Sequence, residues 1–322
     1  MNDTLHNNQH NNLHREAQAP ILIIGSGAIA LLSASQCALA GQPCYLQGRS
    51  VRDGKALAVD FRRGQQNFPL LISQRPASLT QFSTLLVAVK AYDAVQACEQ
   101  WLPLLTERGN VVLCHNGMGT IEPVAALLAP KQKLWFASTT HGALKHGQHQ
   151  LEHTGFGLTR WGAANVAAQE ACATAEYHEL AAQLQHALGP AQFCPDIQGV
   201  LWQKLLVNAV INPLTALQQC RNGDLRQSQF QPLIQQLVAE FVQVASARGV
   251  HLPNALDTVY QVIDATAKNY SSMQQDVEKN RKTELRAITG VVLQQASSLQ
   301  LVTPSHQRLW QQLTQQLQSW QY

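Results

Sequence analysis

Charge is scarce in this chain: only 13% of its 322 residues are Asp, Glu, Lys or Arg, and no dense basic or acidic run occurs. The net charge of +3 is small for the length and argues against a nucleic-acid partner. Metal-ligand spacing is absent too. The seven cysteines are scattered, with no CxxC pair and no Cys/His group at zinc-like spacing, so no metal is expected. Their odd number in a long chain points to reduced thiols and a cytoplasmic location, and Cys37 and Cys44 read as small buried hydrophobes. What is present is apolar residue, 45% of the chain, enough for a large core and two domains.

The stretch "ILIIGSGAIALLSASQCALAG" (21–41) carries no charge and contains an Ala-Leu-Ala sequence. A secretory signal would look similar. The internal Gly25-Ser26-Gly27 and a workable strand–turn–helix reading favour a folded segment, and no membrane partner is expected. Residues 1–19, "MNDTLHNNQHNNLHREAQA", are rich in Asn and His without periodicity and read as a disordered tail. From residue 20, apolar runs ("ILII", "PCYLQ", "TLLVAVK", "NVVLCHNGMG", "KLWFASTTHGA", "GFGLTRWG") alternate with helical patterns, which indicates a mostly parallel α/β sheet. After about residue 195 the pattern becomes helical. The expected division is therefore 20–194, a sheet domain, and 195–322, a helical one.

"IIGSGAIA" places Gly25, Gly27 and Ala30 in the G-x-G-x-x-G/A pattern between a strand and a helix. Gly25 permits the tight turn, Gly27 lets backbone approach a pyrophosphate, and Ala30 lets the helix pack on the sheet. Gly25, Ser26, Gly27, Ala28, Ile29 and Ala30 thus form a candidate phosphate cradle at a helix N-terminus, and the first domain reads as Rossmann-like. The alternative is a glycine turn in another α/β protein. The second strand ends in "LQGRS", without the acid that would bond ribose hydroxyls. Arg49 could pair there with a phosphate, which predicts NADP(H); as a solvated loop residue it would leave the preference open.

Two further strand ends carry polar residues, Lys90 after "LLVAV" and Asn116 in "CHNGMGT". Asn116 suits either a ligand contact or ordinary turn chemistry. His115 and His141 read as hydrogen-bonded scaffold. In "LWQKLLVNAVINPLTAL" (201–217), Lys204, Asn208 and Asn212 recur every fourth residue and so lie on one tilted stripe of a helix. The stripe faces either water or a polar ligand, because buried amides and ammonium groups need partners. Pro213 predicts a bend at Asn212.

Together "GSGAIA", "VKAYD", "HNGMGTIE", "STTHGA", "LWQKLLVNAVINPLTAL", "RNGDLR" and "VIDATAKNYSSMQQDVEKNRKTELRAITG" resemble the ketopantoate reductase (2-dehydropantoate 2-reductase) family from residue 20 nearly to the C-terminus. The resemblance implies NADPH-dependent reduction of a branched 2-oxo acid on the route to pantothenate and coenzyme A. It makes Lys204 the proton donor and Glu284 a residue that holds cofactor and braces the site. Asn208, Asn212, Asn222 and Ser272 fall on substrate positions, and Asn116 on one touching nicotinamide and substrate. Ala143 falls on a cofactor contact, and Lys90 and Asn269 on polar positions near the ligands. Ala30 departs from the usual third glycine. A reductase of another 2-oxo acid and a non-catalytic NADP sensor are the alternatives, and a homodimer through the helical domain fits the composition.

Ser272 and Glu284 would be about 18 Å apart on one straight helix. Ser272 is therefore expected in a non-helical or capping segment. Asp276 and Glu278 read as solvated positions, and Arg281 and Lys282 as a surface pair.

Overall fold

The computed structural model describes residues 19–48 and 54–322; the tail before them and Arg49 lie outside the described residues. The chain opens with β1 (Ile21–Ile24), all four residues buried, and α1 (Ala28–Ala40). An apolar run without alternation suits a strand covered on both faces. Gly41 ends α1 at φ +69°, and its N–H meets the Ala38 carbonyl, the usual glycine stop.

Next come β2 (Cys44–Gln47), β3 (Leu57–Arg63), β4 (Gln66–Ile72), β5 (Phe82–Val87), α2 (Ala91–Trp101), β6 (Leu105–Leu113) and α3 (Ile121–Ala125). They are followed by β7 (Lys133–Thr139), β8 (Gly142–His146), β9 (Gln150–Gly155), β10 (Thr159–Ala163), α4 (Val166–Ala171), α5 (Ala175–Leu188) and β11 (Ala191–Phe193). From Ile197 the regular elements are helical: α6 (Ile197–Gln218), α7 (Gln231–Ala247), α8 (Ala255–Ala265), α9 (Ser272–Glu278), α10 (Val291–Ser298) and α11 (Pro304–Gln316), with a π-helical turn at Arg286–Gly290.

Seven strands form one sheet in the order β11-β10-β7-β6-β5-β1-β2, parallel throughout except for β7 against β10. This is the expected α/β architecture followed by a helical part. A second sheet, β4-β3-β9-β8, was not anticipated. Its strand β3 pairs with its hairpin partner β4 and with the distant β9, Phe61 lying opposite Leu151. The run "KLWFASTTHGA" is accordingly not one strand: the chain leaves the main sheet after Thr139 and β8 joins the second sheet. In "GFGLTRWG", Gly155 ends β9 and β10 begins only at Thr159.

α6 is the centre of the helical part. Asp196 caps it, accepting from the Gly199 N–H at 2.8 Å. Leu205, Leu206, Val210, Ile211 and Leu214 are buried in a core shared with α7, α8 and α11. The helix is long and apolar enough to cross a membrane, yet 67% of that stretch is buried inside the fold, as befits a core helix. The bend expected at Pro213 does not interrupt it: Asn212 and Pro213 are helical and buried. Proline removes a single ladder hydrogen bond, and burial of its neighbours offsets that loss.

Candidate active site

The carboxyl ends of β1, β2, β5, β6 and β7 open onto a cavity of about 850 Å³, closed on its other side by α6, α9 and the segment holding Arg281 and Glu284. That size lies within the range of small-molecule sites. Crevices outside strand carboxyl ends are where open α/β sheets bind ligands.

At the glycine loop the sheet side presents backbone. Gly25 takes φ +141°, and a Cβ there would collide with the Ala88 carbonyl and Ala30; only glycine fits. Gly27 begins α1 without a capping side chain, so the first-turn N–H groups face the cavity as donors for an anion. Gly25, Ser26, Gly27, Ala28 and Ile29 line the cavity. Ala30 does not; fully buried, it packs beneath the loop.

The loop after β6 is held from two directions. His115 Nδ1 lies 2.9 Å from the Asn116 carbonyl, and Nε2 lies 2.9 Å from Thr120 Oγ1. A carbonyl only accepts, so Nδ1 carries the proton and Nε2 accepts from the threonine. Burial pushes the His115 pKa down, which keeps the ring neutral. With both nitrogens occupied, His115 braces the loop, as the sequence reading expected. The Met118 N–H donates to the Ala287 carbonyl of the π-helical turn at 2.9 Å. Gly117, at φ +81°, leaves no room for a Cβ against the same residue. Asn116 therefore lines the cavity on a loop docked to the helical part.

Lys204 projects from α6 into the cavity, and its Nζ donates to the Thr139 carbonyl at the end of β7, 2.8 Å away. Burial lowers its pKa below the ordinary lysine value, with Cys114 and Glu284 acting in the opposite direction. Glu284, 4% exposed, accepts from the Ala91 N–H at 3.0 Å and from Lys90 Nζ at 3.3 Å. It thus caps α2 from across the cleft, where helix-end charge favours a carboxylate. Lys90 also pairs with Asp276 at 2.8 Å. Burial alone would pull Lys90 down, but Glu284 and Asp276 outweigh it and hold its pKa up. Burial raises the Asp276 pKa, against the pull of Lys90.

Several expectations need correction here. Asp276 is not solvated: it is 8% exposed and ion-paired. Arg281 is exposed, as expected, but lines the cavity, and Lys282 is half-buried, its Nζ 4.5 Å from the centroid of the Tyr92 ring. Ser272 is the first residue of α9 and lines the cavity, while Ser271 is the cap. The distance problem is resolved farther along the chain: α9 stops at Glu278, and Asn280 turns the backbone at φ +49°. Ser272 and Glu284 then share one cavity.

The remaining candidates lie elsewhere. Asn208 is half-buried and Asn212 buried on α6, beyond the cavity lining. Asn222 is buried; its Nδ2 donates to Thr266 Oγ1 at 2.9 Å, while its Oδ1 has no partner. Asn269 is exposed, and its carbonyl accepts from the Asn222 N–H. Ala143, on β8, packs against the core and not the cavity. Sequence reasoning missed Thr139, Tyr92 and Trp101 as lining residues. A backbone carbonyl leaves no trace in a motif, and the two aromatic residues look like ordinary helix positions.

Two family profiles match the chain, "Ketopantoate reductase PanE/ApbA" over residues 21–165 and "Ketopantoate reductase PanE/ApbA C terminal" over 196–317. A 2-dehydropantoate 2-reductase of Vibrio cholerae is 37% identical over 303 residues, covering 93% of this chain and 98% of the relative. The crystal structure of a probable 2-dehydropantoate 2-reductase from Bacillus subtilis is similar at a TM-score of 0.75 and 27% identity, covering 92% of this chain and 99% of that one. The ternary structure of D-mandelate dehydrogenase with NADH and anilino(oxo)acetate shares the fold, with a TM-score of 0.79 at 19% identity and coverage of 91% and 97%.

Proposed function

Because the chain belongs to the ketopantoate reductase family, we propose that it reduces 2-dehydropantoate to pantoate with NADPH, Lys204 giving the proton. The observation that carries this reading is an ammonium anchored by one carbonyl in the same cavity as an uncapped glycine loop. The residues present fit a dinucleotide: Gly25 and Gly27 leave backbone room for a diphosphate, and the start of α1 offers it N–H donors.

Bound reduced nicotinamide supplies the hydride. The Lys204 ammonium faces the substrate carbonyl oxygen, stabilises the negative charge growing there and transfers its proton. General acid catalysis of this kind contributes about 10²–10⁴-fold. Glu284 favours the protonated lysine and, through Ala91 and Lys90, keeps the two sides of the cleft in register. Ser272 donates to the substrate carboxylate, and Asn116 lies where coenzyme and substrate meet. Asn208, Asn212, Asn222, Asn269, Ala143 and Arg49 keep their assigned contacts on the family resemblance alone.

The same reading gives residues 20–194 the coenzyme, and 195–322 the substrate and a homodimer contact that sedimentation would test. It assigns the enzyme to the cytoplasm, where its seven free cysteines stay reduced.

NADPH absorbance followed with ketopantoate and a panel of 2-oxo acids tests the activity. Faster turnover of another acid would move the assignment to a relative, as D-mandelate dehydrogenase illustrates for this fold. Tight NADPH binding without oxidation by any of them would make the protein a sensor.

A further inference from the structure

The carboxyl end of β2 is where an open dinucleotide-binding sheet meets the adenosine ribose. Gln47 and Gly48 line the cavity at that end. Leu46 bridges to Gln74, and its N–H donates to the Ser73 carbonyl at 2.9 Å, so the segment following β4 runs alongside β2. That segment carries Arg75. Its Nε donates to Gln47 Oε1 at 3.3 Å and its Nη1 to the Pro76 carbonyl at 3.1 Å. The guanidinium carbon lies 5.1 Å from the ring centroid of Trp101, the last residue of α2 and itself a cavity wall.

We propose that Arg75 is a specificity-determining residue that pairs with the 2′-phosphate of the adenosine ribose. The inference rests on the coenzyme reading above and names the group that separates NADPH from NADH. Three features support it. Gln47 stands where an acid would bond free ribose hydroxyls and repel a phosphate. A guanidinium is a planar fork matched to phosphate oxygens, and unlike an ammonium it stacks flat on an indole. Gln47, Pro76 and Trp101 together orient that plane before the ligand arrives, so little side-chain freedom is lost on binding. Arg75 comes from a different strand connection than Arg49, so the two arginines are separable by mutation.

Titration of the full chain with 2′,5′-ADP and with 5′-AMP tests the assignment without turnover. Arg75→Ala should weaken 2′,5′-ADP by about 10- to 100-fold, the range for losing a hydrogen-bonded charge partner, and leave 5′-AMP within about threefold. Arg75→Lys should fall between, since the charge remains but the planar fork is lost. Gln47→Glu should reverse the preference towards 5′-AMP, and this variant keeps the test open if Arg75→Ala fails to fold. Equal weakening of both nucleotides, or an unchanged ratio in Arg75→Lys and Gln47→Glu, overturns the proposal. Discrimination by Arg75 with no reduction of any 2-oxo acid would instead overturn the activity and leave this assignment standing.

Discussion

The two sides of the cleft are built from different material. At its centre the sheet side offers backbone, Gly25 at φ +141°, the bare N-terminus of α1 and the Thr139 carbonyl, with Gln47, Lys90 and Asn116 around it. The helical side offers side chains, namely Lys204, Ser272, Arg281 and Glu284. Backbone geometry is suited to phosphate, a group common to every dinucleotide, and it depends on the absence of side chains. Proton transfer needs one ionisable atom with a shifted affinity for protons, which only a side chain in a dry environment supplies. Substitutions on the first side should therefore change binding, and those on the second should change turnover and its pH dependence.

The largest expected effect comes from Lys204→Ala, which should lower kcat about 10²–10⁴-fold while the NADPH dissociation constant stays within a few-fold. Near-normal turnover would erase the distinction between the two sides. The mirror experiment is Gly25→Ala. Strain of about 1–3 kcal/mol at a left-handed position, together with the clash against Ala88, should lower the melting temperature and abolish measurable NADPH binding. A variant that binds NADPH normally would contradict the close approach.

Glu284→Gln sharpens the comparison through pH. As the proposed proton donor, Lys204 acts only when protonated, and burial already places its pKa below the ordinary lysine value. Activity is thus present at low pH and lost as pH rises through that pKa. Removing the Glu284 charge lowers the pKa further, so the alkaline limb of kcat should move to lower pH, together with a fall in rate. A limb that stays in place would show that Glu284 does not act on Lys204.

The smallest effect on the cleft is expected at Glu240, behind the helical side. Its carboxylate accepts from the Ser305 and His306 N–H groups at the start of α11 and from His306 Nδ1. Burial would raise its pKa, but these hydrogen bonds prevail and push it down to about 2. A depressed carboxylate stabilises the fold above its unfolded pKa, about 4.5, and that contribution disappears as pH falls towards about 2. Glu240→Gln should cost about 1–3 kcal/mol at neutral pH and flatten the acid dependence of thermal unfolding, with kcat unchanged.

Much of the sheet side could be read from the chain because its signal is local. A buried "ILII", two glycines and a helix are consecutive, and their spacing states their geometry. The stripe headed by Lys204 was legible for the same reason, being periodic on one helix. Asp276 was misread because its neighbourhood in sequence is polar, whereas its partner Lys90 lies on another element. The second sheet went unseen because β3 takes its register from the distant β9. The asparagines behind Lys204 continue the stripe but not the cavity lining, since helical periodicity reports a face and not what lies opposite it.

Composition and spacing by themselves determined an α/β half with a glycine turn between its first strand and helix, a helical half, and a polar stripe headed by Lys204. Tertiary packing decided which groups meet across the cleft: Glu284 with the start of α2, Lys90 with Asp276, Arg75 with Gln47 and Trp101. Local sequence sets backbone conformation and periodicity, while burial and charge pairing depend on residues far apart along the chain.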